Sequence, residues 1–259
     1  MNYIKTAVNN KIGWITFNNE EKRNSLNSDM LEEIESALDE FNNINLRAII
    51  FRSNPEAKVW CAGLSIDELP DPGKDPLPFS HPLENLLRKI ESSKAPVIAM
   101  ITSSVWGGGT DLALTCDMII GSHESSFAIT PAKLGVPYNA SGLLHFINVL
   151  EMNIIKEMFF TGAPLNSERA YNIGLLNHLV PKNEIEEFTT NMANIIANNS
   201  PLSIRVIKEQ LNLLGKARPI TSDVMERINE LRSLAYSSND YKEGKAAFLE
   251  RRKPDFKGN

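Results

Sequence analysis

The chain has 259 residues, a formal net charge of −5, two cysteines, and 42% hydrophobic and 23% charged residues. That length accommodates one α/β domain, or a domain with a helical appendage, and the composition is that of an ordinary globular protein. The acidic balance argues against non-specific binding to nucleic acid or anionic membrane, and two cysteines outside any CxxC pair argue against a disulfide scaffold.

Met1–Thr6 lacks a long apolar core, no stretch reaches the ~20 apolar residues that span a bilayer, and Lys257-Gly-Asn259 is no peroxisomal address. A cytoplasmic location is therefore expected. Ile12–Phe17 is β-branched and aromatic and predicts a strand. After the polar loop Asn18–Arg23, Asn27 or Ser28 caps a helix in which Met30, Leu31, Ile34, Leu38 and Phe41 recur at helical spacing. Ala48–Phe51 predicts a short buried strand. Strand, helix and strand in this order point to a parallel sheet.

Val59–Ile66 holds a glycine turn. Pro70–Pro82 carries too many prolines for a regular element and reads as a loop, a candidate cover over a site. Leu83–Ile90 predicts a helix and Ala95–Ile101 a buried strand. Gly107–Gly109 then turns that strand into a helix through Leu112–Cys116, and Asp117–Gly121 is the next strand. Phe127–Asn139 is irregular. Leu143–Phe160, Ser167–Asn172, Glu184–Asn198, Ser203–Leu214, Val224–Tyr236 and Tyr241–Arg251 predict helices. The layout is an α/β core to about residue 160 and a helical remainder, which either closes over the site or packs against other subunits.

Several chemistries fail on spacing. There is no phosphate-binding Gly-x-x-x-x-Gly-Lys loop, Leu112 stands where a dinucleotide fold needs its third glycine, and no Gly-x-Ser-x-Gly elbow occurs. His81, His123, His145 and His178 are scattered, without metal-ligand spacing, and read as surface or structural histidines; no metal is expected. Two glycine turns remain, Cys61–Leu64 and Trp106–Gly109, each near the end of an apolar run. Backbone amides from two such turns converging on one oxygen would form an oxyanion hole, with a helix N-terminus adding its positive end.

Three motifs in order, Cys-Ala-Gly-Leu-Ser-Ile at 61–66, the triple glycine at 107–109 and Pro131-x-x-Leu-Gly135, resemble the crotonase (enoyl-CoA hydratase/isomerase) family. So do Lys22–Leu26 and the ending Phe248–Pro254, so the resemblance covers nearly the whole chain. It implies a crotonase/ClpP-like α/β fold of repeated ββα units, with residues 1–199 as core and 200–259 as a helical trimerisation region. It also implies a homotrimer or dimer of trimers acting on an acyl-CoA thioester, with no separate cofactor. By the same resemblance the oxyanion amides fall on Leu64 and Gly108. Lys22, Arg23 and Arg251, the last from a neighbouring subunit, would meet the nucleotide part of CoA, and the Ala62 carbonyl would meet its adenine. The bland reading of those cations is a solvated charged face.

The glutamate pair that hydratases use would fall on Asp111 and Pro131. Proline moves no proton, and Asp111 is one carbon shorter than glutamate, so hydration and isomerisation are both disfavoured. Asp111 reads instead as a structural or helix-stabilising group. A finer resemblance, through Ser104–Gly108, Ile129–Pro131, Leu134–Asn139 and Glu68–Pro70, is to the branch of the family that decarboxylates methylmalonyl-CoA to propionyl-CoA. Loss of CO2 from a malonyl thioester leaves an enolate, which needs an oxyanion hole rather than a base. Tyr138 and Thr130 would hold the departing carboxylate with its C–C bond perpendicular to the thioester plane. Leu64 departs from that branch, which carries histidine there; the backbone amide survives the change but a side-chain hydrogen bond is lost. The competing readings are a hydratase or isomerase working through Asp111 and a water, and a non-catalytic acyl-CoA-binding relative.

Overall fold

A computed structural model describes residues 1–216 and 219–259. The chain begins with strands β1 (Ile4–Asn9) and β2 (Ile12–Phe17), an antiparallel pair, and helix α1 (Ser28–Asn43). The Asn27 side chain caps α1 by accepting from the Met30 amide, and Met30, Leu31, Ile34, Ala37, Leu38 and Phe41 form its buried stripe. Strand β3 (Ala48–Ser53), strand β4 (Val59–Cys61) and helix α2 (Pro82–Glu91) repeat the pattern, as do β5 (Val97–Ile101), β6 (Ser104–Trp106) and α3 (Gly108–Thr115). A fourth pair, β7 (Met118–Ser122) and β8 (Ser126–Ala128), is followed by a 3-10 turn at Pro131–Leu134 and helices α4 (Ala140–Val149) and α5 (Met152–Thr161).

These are ββα units; the first keeps both strands in one sheet, whereas the pairs β3/β4, β5/β6 and β7/β8 each divide between two sheets. After β9 (Leu165–Asn166), α6 (Ser167–Asn172) and β10 (His178–Val180), the large sheet has the order β1-β2-β3-β5-β7-β10 and the small one β4-β6-β8-β9. The central strands of the large sheet are parallel and buried on both faces, hence their nearly continuous apolar runs. One face packs on α1, α2 and α3; the other is closed by α7 (Ile185–Asn198).

Helices α8 (Pro201–Gly215), α9 (Ser222–Tyr236) and α10 (Asn239–Leu249) complete the chain. Lys208 of α8 is buried against the core, 2.6 Å from Asp117 Oδ2 and 3.2 Å from the Ile90 carbonyl. The last two helices strap the proline-rich loop: Arg232 pairs with Asp75, Tyr241 Oη donates to the Pro70 carbonyl, and Lys245 Nζ donates to the Leu69 carbonyl. That loop is thus tied down by the chain's own C-terminal helices.

Three sequence expectations change. The predicted helix 143–160 is two helices, because Leu150 and Glu151 turn extended and Leu150 buries in the core. The predicted strand at 95–101 does not run directly into the glycines; β6 intervenes and belongs to the other sheet. The irregular stretch from Phe127 contains the end of β8 and a 3-10 turn.

Candidate functional site

The two glycine turns lie side by side because β4 and β6 are parallel neighbours in the small sheet. After β4 the chain makes an isolated parallel bridge between Leu26 and Leu64. The Leu26 amide donates to the Gly63 carbonyl at 2.8 Å, and the Ser65 amide donates to the Leu26 carbonyl at 2.9 Å. These bonds flank Leu64 and leave its own N–H without an acceptor among the described residues. Gly108 opens α3, where a first-turn N–H has no partner within the helix. A Cβ placed on Gly108 would lie 3.4 Å from the Leu64 nitrogen, so the two free amides are neighbours. Gly63 permits the approach: its φ is +84°, and any Cβ would sit 2.5 Å from the Trp106 carbonyl oxygen. Two adjacent unpaired N–H groups at a helix N-terminus are suited to an oxygen that gains negative charge.

One turn further along α3, Asp111 is 2% exposed and both its oxygens are engaged. Tyr138 Oη donates to Oδ2 at 2.9 Å, and His145 Nδ1 lies 2.6 Å from Oδ1. Burial pushes the Tyr138 phenol well above its ordinary value, with the charge and hydrogen bond of Asp111 adding to it, so the hydroxyl stays neutral. For His145, burial pulls toward the neutral form, but the Asp111 hydrogen bond and the charges of Asp111, Glu91 and Glu84 outweigh it and raise the imidazole. Gly142 makes room for this group: a Cβ there would collide with Tyr138 Cε1 and lie 2.8 Å from Asp111 Oδ2. Tyr138 is further fixed by edge contacts to Phe146 and Phe159, at ring-centroid distances of 6.1 and 5.0 Å.

Glu84 of α2 is buried and accepts from Asn139 Nδ2 at 2.5 Å and Ser141 Oγ at 2.6 Å. Its carboxylate therefore stands at the start of α4, where a negative charge is favourable, and pins the segment that carries Tyr138 and His145. Neither Glu84 nor His145 was singled out by sequence. The available signal was the i, i+4 pairs Asp111/Thr115 on α3 and Ser141/His145 on α4, each sharing a helix face; that the two faces meet is a tertiary fact.

The other predicted positions separate into groups. Thr130 and Pro131 lead into the 3-10 turn that ends at Leu134, with no carboxylate at 131. Arg23 and Ala62 are joined, the Ala62 amide donating to the Arg23 carbonyl at 3.0 Å, with Lys22 and Arg23 exposed beside them. Arg251 lies exposed beyond α10, and among the described residues no hydrogen bond or ion pair links it to that cluster. Cys61 is no nucleophile: burial pushes its thiol up to about 12. No three His, Cys, Asp or Glu side chains among the described residues are grouped to hold a metal ion, and no described helix is long and apolar enough to cross a membrane.

Comparison with known proteins adds independent findings. The sequence model of a family described as enoyl-CoA hydratase/isomerase matches residues 7–259. The methylmalonyl-CoA decarboxylase of Escherichia coli (strain K12) is 41% identical over 257 residues, covering 99% of this chain and 98% of that one. The short-chain-enoyl-CoA hydratase of Clostridium acetobutylicum is 26% identical over 98% of this chain and 97% of its own length. Among solved structures, a methylmalonyl-CoA decarboxylase complexed with 2S-carboxypropyl-CoA superposes with a TM-score of 0.98 and 41% identity, over 100% of this chain and 99% of that one.

Proposed function

The chain belongs to the enoyl-CoA hydratase/isomerase family, and from that premise we propose that it is a carboxy-lyase converting methylmalonyl-CoA, or a related malonyl thioester, to propionyl-CoA and CO2. One observation carries the choice of reaction within the family. Asp111, one turn along α3 from the Gly108 amide, has both oxygens engaged, by Tyr138 and His145, and position 131 is proline. Hydration of an enoyl thioester needs a base for water and an acid for carbon, and this site offers neither in a free form. Decarboxylation needs neither to break its bond.

In this reading the thioester oxygen accepts from the Leu64 and Gly108 amides. The substrate carboxylate sits at Tyr138 and Thr130, with the bond to be broken perpendicular to the thioester plane. Its electrons flow into the carbonyl as CO2 departs, and the negative charge that gathers on oxygen is met by two donors already in place. The enolate then takes a proton from solvent at its α-carbon, which completes propionyl-CoA. Lys22 and Arg23 meet the nucleotide phosphates, the Ala62 carbonyl meets the adenine, and Arg251 reaches across from a neighbouring subunit. No further cofactor is involved.

Residues 200–259 serve as the oligomerisation region of a homotrimer or dimer of trimers. Support for this comes from the large apolar side chains that α8 and α9 leave in the open, including Leu211 at 64%, Leu214 at 73% and Leu234 at 73% exposure. Two free, buried cysteines are in keeping with the reducing cytoplasm.

Purified protein incubated with methylmalonyl-CoA is expected to release propionyl-CoA and CO2, resolved by mass spectrometry, while crotonyl-CoA stays unhydrated by absorbance at the enoyl band. Tight binding of acyl-CoA with no turnover of malonyl-, methylmalonyl- or ethylmalonyl-CoA would overturn the assignment.

A further inference from the structure

We propose that His145 is the positioning residue that lets the site accept a negatively charged acyl group. Its imidazolium offsets the charge of Asp111 and frees the Tyr138 hydroxyl to turn from Asp111 to the substrate's carboxylate. This rests on the decarboxylase reading above.

The need for such a residue follows from the geometry. Tyr138 donates its only proton to Asp111 Oδ2 at 2.9 Å, so in this arrangement the hydroxyl offers a substrate carboxylate nothing but lone pairs. Behind it stands Asp111, 2% exposed, where an unopposed negative charge repels another with little solvent screening. A malonyl thioester would thus meet a phenol pointing the wrong way and an anion behind it. His145 addresses both difficulties from the far side of Asp111. Nδ1 is 2.6 Å from Oδ1, so a charged ring donates a strong hydrogen bond there and weakens the hold of the other oxygen on Tyr138.

The surroundings favour the charged ring. Nε2 lies 3.8 Å from Glu91 Oε1 at the end of α2, and Glu91 is itself held by Lys216 at 2.7 Å. Glu84 on the same helix adds a more distant negative charge, while Thr115 Oγ1, 3.4 Å from Nδ1, brings none. Two carboxylates on opposite edges of one imidazole, one hydrogen-bonded to Nδ1 and the other 3.8 Å from Nε2, favour the ring that carries both protons. In keeping with that arrangement, the imidazole is raised above its ordinary value.

The test uses equilibrium binding, which needs no turnover. Affinities of 2S-carboxypropyl-CoA and of S-propyl-CoA, its analogue without the carboxylate, are measured by calorimetry from about pH 6 to about pH 9. The CoA phosphates are common to both ligands, so their titration cancels in the ratio. In the wild type the preference for the carboxylate ligand is expected to fall about tenfold or more as the imidazole loses its proton. In His145→Gln that preference is low and independent of pH, while S-propyl-CoA binds as in the wild type. A wild-type ratio that stays flat with pH overturns the proposal, and so does a variant that loses both ligands equally, which is what a merely structural histidine would give. Should the variant not fold, the wild-type series decides alone. Failure of the decarboxylase reading shows separately, as absence of CO2 release by the wild type.

Discussion

The two halves of the site are built from different materials. The Leu64/Gly108 half is main chain throughout, with amides aimed by the ladder between β4 and β6, the bridge to Leu26 and the first turn of α3. The Tyr138/Asp111/His145 half is all side chain, held by hydrogen bonds to Asp111 on α3, of 2.6 Å from His145 on α4 and 2.9 Å from Tyr138 just before it, with Glu84 behind them. In the first half the side chain at 64 can vary and alter the lining without touching the donors, provided that Gly63 stays free of a Cβ. The second half depends on each partner's identity and charge. Stability of geometry lies in the backbone half, adjustability in the other.

The sharpest way to break this division is Gly108→Pro. Proline is tolerated in the first turn of a helix, yet it removes the N–H. The expected loss is about 100- to 1,000-fold in kcat, of the size seen when one oxyanion donor is deleted, with the far-ultraviolet circular dichroism little changed. A variant with near-normal kcat would mean that the oxygen is not held there. Tyr138→Phe attacks the other half. One hydrogen bond to a charged group is worth about 1.5–3 kcal/mol, so kcat/KM should fall by roughly 10- to 150-fold while some turnover remains.

A thermal melt against pH distinguishes the halves without touching the Leu64 and Gly108 amides. His145 is raised above its ordinary pKa of 6.5, so its contribution to stability is complete below that value and is lost as pH rises through the elevated one. The melting temperature of the wild type should therefore decline on the alkaline side more steeply than that of His145→Gln. Leu64→Ala should have the smallest effect. The amide is kept, and kcat is expected to stay within about tenfold of the wild type, since only apolar lining is lost. A collapse of activity in this variant would show that the side chain, and not the backbone, matters at position 64.

What sequence could and could not reveal follows the same division. The glycine turns, Pro131 and the buried strands β2, β3, β5 and β7 were legible, because apolar runs and missing side chains are local signals. The small sheet was not: β4, β6 and β8 are three residues each, too short for any periodicity to register. β1 buries only its first residue and gave no core signal. The break at Leu150 has no proline or glycine to announce it; it exists because the side chain is needed inside. His145 looked like one of four scattered histidines because its partner lies 34 residues away in sequence and on another helix. Asp111 reads as structural from its short side chain, its place near a helix N-terminus and the proline at 131, but what restrains it could be learned only from its packing against Tyr138 and α4.

The pairing of β4 with β6 has a consequence for how such a site can change. Leu64 and Gly108 follow adjacent parallel strands of successive ββα units, paired at Cys61 and Val105 just beyond a register shift between Val59 and Cys61. Adjacent strands stand about 4.8 Å apart wherever they are hydrogen-bonded, so the ladder acts as a ruler between the two donors. Side-chain replacements along the ladder leave that gauge alone, and the extra residue of β4 is absorbed before Cys61, upstream of the donors. The lining at this site can therefore change by replacement at positions such as Leu64, while the spacing of the donors is kept by the main chain and by Gly63.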